Sequence, residues 1–247
     1  MTKSTQLKNT NLDKKILGIV GGIGPETTSK FYLELIEKSR MVCDSYPSII
    51  IDSISFPFSL EEEIIQESKN ENKIFPILKE SIARFNKIGV NLIVIPCNTV
   101  HVFIDGLRKE SNVPIISIID ETIKRIKDGN YRNVGLLASK KTIDSKLYEI
   151  PMKKNGTNII LPTDKEQKEI SKIIVETIRN KITEKRKNVI KEVIKNLIKR
   201  GSDVVVLGCT DLQIILNNYE FDVELLDSFE ILLESTFQRI MKKGELK

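Results

Sequence analysis

Seven short apolar runs constrain the fold of this chain more than any other feature: Ile16–Val20, Ser48–Ile54, Leu92–Ile95, Ile115–Ile118, Asn133–Leu137, Asn158–Leu161 and Val204–Leu207. They are rich in Ile and Val and show almost no polar alternation. A strand with one wet face alternates apolar with polar side chains, whereas a strand covered by helices on both faces does not. Between the runs lie longer segments with helical spacing, at 25–40, 70–88, 98–110, 121–128, 142–154, 165–180, 184–200 and 228–242. Strand alternating with helix in this way is the pattern of an α/β fold, with mostly parallel sheets flanked by helices.

The pattern occurs twice. LGIVGGIGPETTSKFY at 17–32 resembles VGLLASKKTIDSKLY at 134–148, each a strand, a turn and a helix carrying Thr, Ser, Lys and Tyr. At a similar distance after each copy, an apolar strand ends in a cysteine, in VIPCNTVH at 94–101 and VVVLGCTD at 204–211. Two matches in the same order point to duplicated halves. The expected organisation is a flexible polar tail over 1–14, a first α/β domain over 15–115 plus 222–247, and a second over 116–221. The final helix is assigned to the first half because it follows the last strand and needs a sheet to cover.

Ligands of open α/β sheets bind at the carboxyl ends of the strands, where Cys97 and Cys209 both fall. Each is followed by residues that can open a helix. Free backbone N–H groups there lower a thiol pKa from its usual ~8.5 and can hold a carboxylate. Asn98, Thr99 and Thr210 add short polar side chains. A lone cysteine at a strand end is more often packing, but two at equivalent points of facing halves argue for chemistry. One thiolate takes a proton from one face of a carbon, and a thiol on the other face returns one. That inverts the carbon without a cofactor, with nearby N–H groups stabilising the charge that develops. Cys43, in MVCDSY, has no such setting.

Two further features accompany the thiols. His101 is the only histidine and stands one helical turn beyond Cys97; it either tunes the thiol or binds substrate, or it simply packs. The turn VGGIGPETT is not a P-loop, because no GK[ST] follows, and Thr27 occupies the third glycine position of a dinucleotide pattern. Gly21, Gly22 and Gly24 instead allow a tight turn that approaches a small ligand, with Pro25 opening the helix.

Composition removes other classes. The net charge is +5, and the lysines are scattered along helical stretches such as 181–200 with few aromatics among them. No basic face for nucleic acid emerges. No apolar run approaches the ~18–20 residues of a membrane span, and the first fourteen residues lack the apolar core of a signal peptide. Three distant cysteines form neither a disulfide framework nor a zinc spacing. The expectation is a soluble, reduced, cytoplasmic protein without metal, nucleic-acid or membrane partner.

GGIGPETT, PCNTVH and GCTD, in this order, with LLASKKTIDSKLY between them, resemble the aspartate/glutamate racemases that need no pyridoxal phosphate, over about residues 15–240. The resemblance implies two pseudo-symmetric domains with the active site in the cleft between them, usually as a homodimer. It implies Cys97 and Cys209 as the two acid/base residues. Asn98, Thr99, Thr142 and Thr210 match positions that line the substrate pocket, Gly22 lies in the glycine turn, and Arg179 falls near a basic position of the family. The GGIGP turn, and Asp211 after Thr210, look like the aspartate-racemase branch, with aspartate or glutamate as substrate. Two departures stand out. The stretch SISFPFSLEE lacks the arginine that an IPDR-like stretch supplies for a substrate carboxylate, and Asp211 is one methylene shorter than the family's Glu. Both are compatible with a broader or different amino-acid substrate. The alternatives are a non-catalytic small-carboxylate or amino-acid binding protein, and a broad-specificity amino-acid or hydantoin racemase. A nucleotide-binding oxidoreductase would rest on the glycine turn alone.

Overall fold

The structure, a computed structural model, describes residues 15–216 and 221–241. The tail expected over 1–14 and the end of the chain at 242–247 lie outside the described residues. Eight strands form two sheets: β1 (Ile16–Gly21), β2 (Ser48–Ser53), β3 (Leu92–Val94) and β4 (Ile115–Ile116), then β5 (Asn133–Ala138), β6 (Asn158–Ile160), β7 (Val204–Gly208) and β8 (Glu224–Asp227). The orders are β2-β1-β3-β4 and β6-β5-β7-β8, the same arrangement twice, with every pairing parallel. The helices are α1 (Pro25–Val42), α2 (Phe58–Glu62), α3 (Phe75–Ile88), α4 (Ile104–Glu110), α5 (Ile118–Asp128), α6 (Lys140–Asp144), α7 (Glu149–Lys154), α8 (Asp164–Ile178), α9 (Glu184–Lys199), α10 (Leu212–Leu216) and α11 (Ser228–Met241).

The missing polar alternation has a direct cause. Leu17 and Ile19 of β1 and Val204 and Val206 of β7 point into one central core shared by both sheets. Their neighbours point the other way: Val20 enters an outer core of the first half, and Val205 and Leu207 enter an outer core of the second. Each strand therefore feeds two apolar layers. Each such side chain, fully buried, contributes roughly 1.5–3 kcal/mol relative to exposure. The repeat also explains a pair of glycines. A Cβ on Gly18 would stand 3.1 Å from the Phe85 ring of α3, and one on Gly135 would stand 3.3 Å from Cβ of Leu197 on α9. Both positions let a helix lie close on the central strand of its sheet.

Three local features depart from the sequence reading. The segment 142–154 is not one helix. Pro151 has no N–H, and its ring would clash with the carbonyl of residue 147 in a continuous helix. The chain breaks between α6 and α7, with Lys146 at φ 53°, and the break turns Tyr148 fully inward. Pro76 acts similarly near the start of α3, so 71–73 form only a 3-10 turn. Finally, residues 224–227, which the domain reading groups with the first half, pair with β7 in the second sheet. The helix that follows, α11, packs on α5, and its Phe229 meets Phe31 of α1 edge-on at 5.5 Å.

Candidate active site

The carboxyl ends of β3 and β7 meet at a narrow cavity of about 40 Å³ lined by both Cys97 and Cys209. Asn98, Thr99, Thr210 and Asp211 line it too. Short polar bonds tie the two cysteine loops to the opposite halves. Thr210 Oγ1 donates to Pro96 O at 3.4 Å. Thr99 Oγ1 lies 2.9 Å from Ser139 Oγ and 3.4 Å from Thr142 Oγ1, and Ser139 and Thr142 are 3.0 Å apart. Asn98 Nδ2 donates to Ser228 Oγ at 3.0 Å, and Tyr148 OH donates to Asn98 Oδ1 at 2.6 Å.

These bonds divide the expected site residues. Cys97, Cys209, Thr99 and Thr210 face the cavity. Asn98 also borders it, but its side-chain oxygen and nitrogen are both engaged by the second half. Thr142 is fully buried and does not line the cavity; it stands behind Ser139, which does. Ser139 is also the N-cap of α6, its hydroxyl accepting Thr142 N–H at 3.2 Å. Gly22 and Arg179 lie elsewhere, in an outer cleft of about 710 Å³. Gly22 has φ 82°, and a Cβ there would strike Ile54 O at 2.3 Å. The Arg179 guanidinium is ion-paired with Glu62 at 2.6 Å. Phe56, Glu61 and Ile178 border both spaces and form the wall between them.

His101 is a brace. Nδ1 lies 2.7 Å from Cys97 O, and Nε2 accepts Ile118 N–H at 3.2 Å. A carbonyl only accepts, so the proton is on Nδ1 and the ring is neutral. Burial holds its pKa down at about 4. The imidazole thus fixes the Cys97 loop to the start of α5 and is fully committed. Cys43 lies outside the site, its thiol 3.4 Å from Met241 Sδ.

The electrostatics correct one expectation. Free N–H groups were expected to lower the thiol pKa values, but burial outweighs them. Burial pushes Cys97 up to about 12, opposed by N–H bonds from Val100 and Thr99. Cys209 is pushed well above its ordinary value by burial and then by the Asp211 charge. Asp211 is itself raised to about 6 by burial, against hydrogen bonds from Thr27 Oγ1 at 3.0 Å and Cys209 Sγ at 3.7 Å. Burial in this narrow cavity keeps both thiols protonated.

The segment after β2 covers the cavity. Residues 54–74 run as α2, a π-turn at Glu63–Glu67 and a 3-10 turn, and place Phe56, Glu61, Ile64, Ile65 and Ile74 over the thiols. Two ion pairs fasten this strap to the second half: Glu62 with Arg179, and Glu71 with Lys141 at 2.6 Å. The sequence shows the missing arginine here and reads Glu61–Glu63 as a solvated helix face, whereas Glu61 lines the cavity. The strap's alternating apolar and acidic residues carried no motif, and Ser139 could have been found only as the helix cap following β5.

The sequence model of the Asp/Glu/Hydantoin racemase family matches residues 20–236. The broad specificity amino-acid racemase RacX of Bacillus subtilis (strain 168) is 27% identical over 226 residues, covering 90% of this chain and 96% of RacX. Among solved structures, a putative Asp/Glu racemase from Yersinia pestis superposes with a TM-score of 0.78 at 25% identity, over 92% of this chain and 100% of that one. An aspartate racemase homologue from Pyrococcus horikoshii OT3 gives 0.74 at 31% identity, over 93% and 100%. With a match that spans most of its length and both repeated halves, this chain belongs to the Asp/Glu/Hydantoin racemase family.

Proposed function

We propose that this protein is an amino-acid racemase that inverts Cα by proton transfer between Cys97 and Cys209. One observation carries the reading: thiols from equivalent strands of two repeated halves line one small cavity. A Cα between them would lose its proton to the thiolate on one face and gain one from the thiol on the other. The S–H bond formed on one side balances the S–H bond broken on the other, so the enzyme returns with its protonation states exchanged. The N–H groups of Thr99 and Val100, which already reach the Cys97 sulfur, favour its anion. The hydroxyls of Ser139, Thr99 and Thr210 are placed to hold the substrate carboxylate, where negative charge accumulates.

Because burial keeps both thiols neutral, thiolate formation must accompany substrate binding. The ammonium group of an amino acid brings a positive charge into the cavity and favours a nearby anion. Entry also requires movement. A volume of about 40 Å³ holds only a few waters at ~10–15 Å³ each, so the strap over 54–74 opens to admit an amino acid. A homodimer is part of this reading, supported by the exposed apolar residues Tyr32, Leu33, Met41, Val42 and Tyr46 on and after α1 and Ile51 on the edge strand β2.

The test is incubation of L-amino acids, aspartate and glutamate included, with the protein in deuterated water. The D-isomer should appear with deuterium at Cα. Tight binding of an amino acid without any Cα exchange would favour the non-catalytic binding protein instead.

A further inference from the structure

We infer that Glu61 makes this site select an α-amino acid with a basic side chain, an amine or a guanidine, over one with an acidic side chain. The inference rests on the amino-acid reading of the cavity and adds the substrate class. Among the described residues, two carboxyl groups line the cavity, Glu61 and Asp211, and no Lys, Arg or His side chain does. Asp211 is already engaged by Thr27 and Cys209. Glu61 is different. Its neighbour Glu62 takes Arg179, and among the described residues no hydrogen bond or ion pair reaches the Glu61 carboxyl.

A half-buried carboxylate without a partner is costly. Burial, then the charges of Asp211 and Glu26, push Glu61 up to about 7, against a smaller opposing effect of the Arg179 charge. A dicarboxylic substrate would add negative charge beside Glu61 and Asp211, with no cationic side chain among the described residues lining the cavity to meet it. A basic side chain would bring the missing counter-charge. The lining offers a path for its methylenes as well. Glu61 stands in the wall between the thiol cavity and the outer cleft, with Phe56 and Ile178 beside it. A chain of methylenes starting at a Cα between the thiols can lie against these apolar groups and end at the carboxylate. Arg179 and Lys181 line the outer cleft but not the cavity, and Arg179 is neutralised by Glu62.

A different job for Glu61, holding the α-ammonium that every amino acid carries, predicts another outcome. The test is calorimetric binding of L-lysine, L-methionine and L-aspartate to the full chain and to Glu61→Gln, with Cα deuterium exchange measured on the same samples. Wild type should bind lysine at least about tenfold more tightly than aspartate. Glu61→Gln should remove about tenfold or more of lysine affinity while leaving methionine within about twofold. The inference is overturned if aspartate binds as tightly as lysine, if lysine does not bind, or if the variant weakens lysine and methionine equally. Lysine binding without Cα exchange would support the selectivity and sink the racemase reading. Exchange of aspartate in preference to lysine would do the reverse.

Discussion

The two cysteine loops sit at equivalent strand ends but are held in different ways. The Cys97 loop is braced from behind by His101 on its carbonyl, and its sulfur receives N–H groups from Thr99 and Val100. The Cys209 thiol instead donates toward Asp211, whose charge opposes ionisation. Duplication set both thiols on one cavity, and the surroundings then diverged. Burial holds both thiols protonated and the Asp211 charge raises both; they differ in that the Cys97 sulfur receives two backbone N–H groups and the Cys209 sulfur one, from Asp211. A second contrast reinforces the first. After β6 the chain passes almost directly into α8, whereas after β2 it makes the strap over 54–74. The cover and its acidic residue thus come from one half alone.

Changes at the thiols should have the largest effects. Cys97→Ser and Cys209→Ser should each lower racemisation by about 10²–10⁴-fold, with thermal stability close to wild type, measured by the appearance of the opposite enantiomer and by a melting curve. Full activity in either variant would leave only one essential thiol.

The residues that follow the cysteines break the symmetry next. Asn98→Ala takes from Tyr148 OH the acceptor of its 2.6 Å bond, while Ser228 Oγ keeps its bond to Leu207 O, and should cost about 1–3 kcal/mol of folding stability. Thr210→Ala removes only a 3.4 Å bond to Pro96 O and should cost about 1 kcal/mol or less. Denaturant titration compares them directly; equal losses would mean that the Asn98 network does not tie the halves together.

His101→Gln probes the brace through pH. The folded ring titrates at about 4 and the unfolded one near ~6.5. Between these values the unfolded chain binds the extra proton, so the neutral ring's contribution is present above ~6.5 and lost as pH falls toward 4. Groups shared by both proteins cancel in the difference. Wild type should therefore be more stable than His101→Gln at neutral pH, with the gap narrowing on acidification. A gap independent of pH would show that the ring is not held neutral.

The smallest expected change is at the strap. Arg179→Ala removes a partly exposed pair with Glu62, worth about 0–1 kcal/mol. Substrate association and product release should quicken, while the Cα exchange step is altered little. Single-turnover and steady-state rates separate the two.

Much of this was legible in the sequence for a physical reason. Strands that feed two apolar layers cannot alternate, so their runs of Ile and Val mark them. The repeat alone marks both cysteines as lying at equivalent strand ends. What the sequence hid depends on distant partners. Thr142 and Ser139 carry similar hydroxyls three residues apart, and only the start of α6 decides which one faces the cavity. The expected drop in thiol pKa considered the local N–H groups and left out burial by the other half and the strap. The break before α7 was readable in Pro151 but was masked by good helical spacing on either side.

The most direct test of two opposed thiols is Cα hydrogen exchange of each separate enantiomer in Cys97→Ser and in Cys209→Ser. Each variant retains one thiol, on one face of the carbon. One variant should exchange only the L-enantiomer and the other only the D-enantiomer. Both variants exchanging the same enantiomer, or either exchanging both at wild-type rates, would contradict the account.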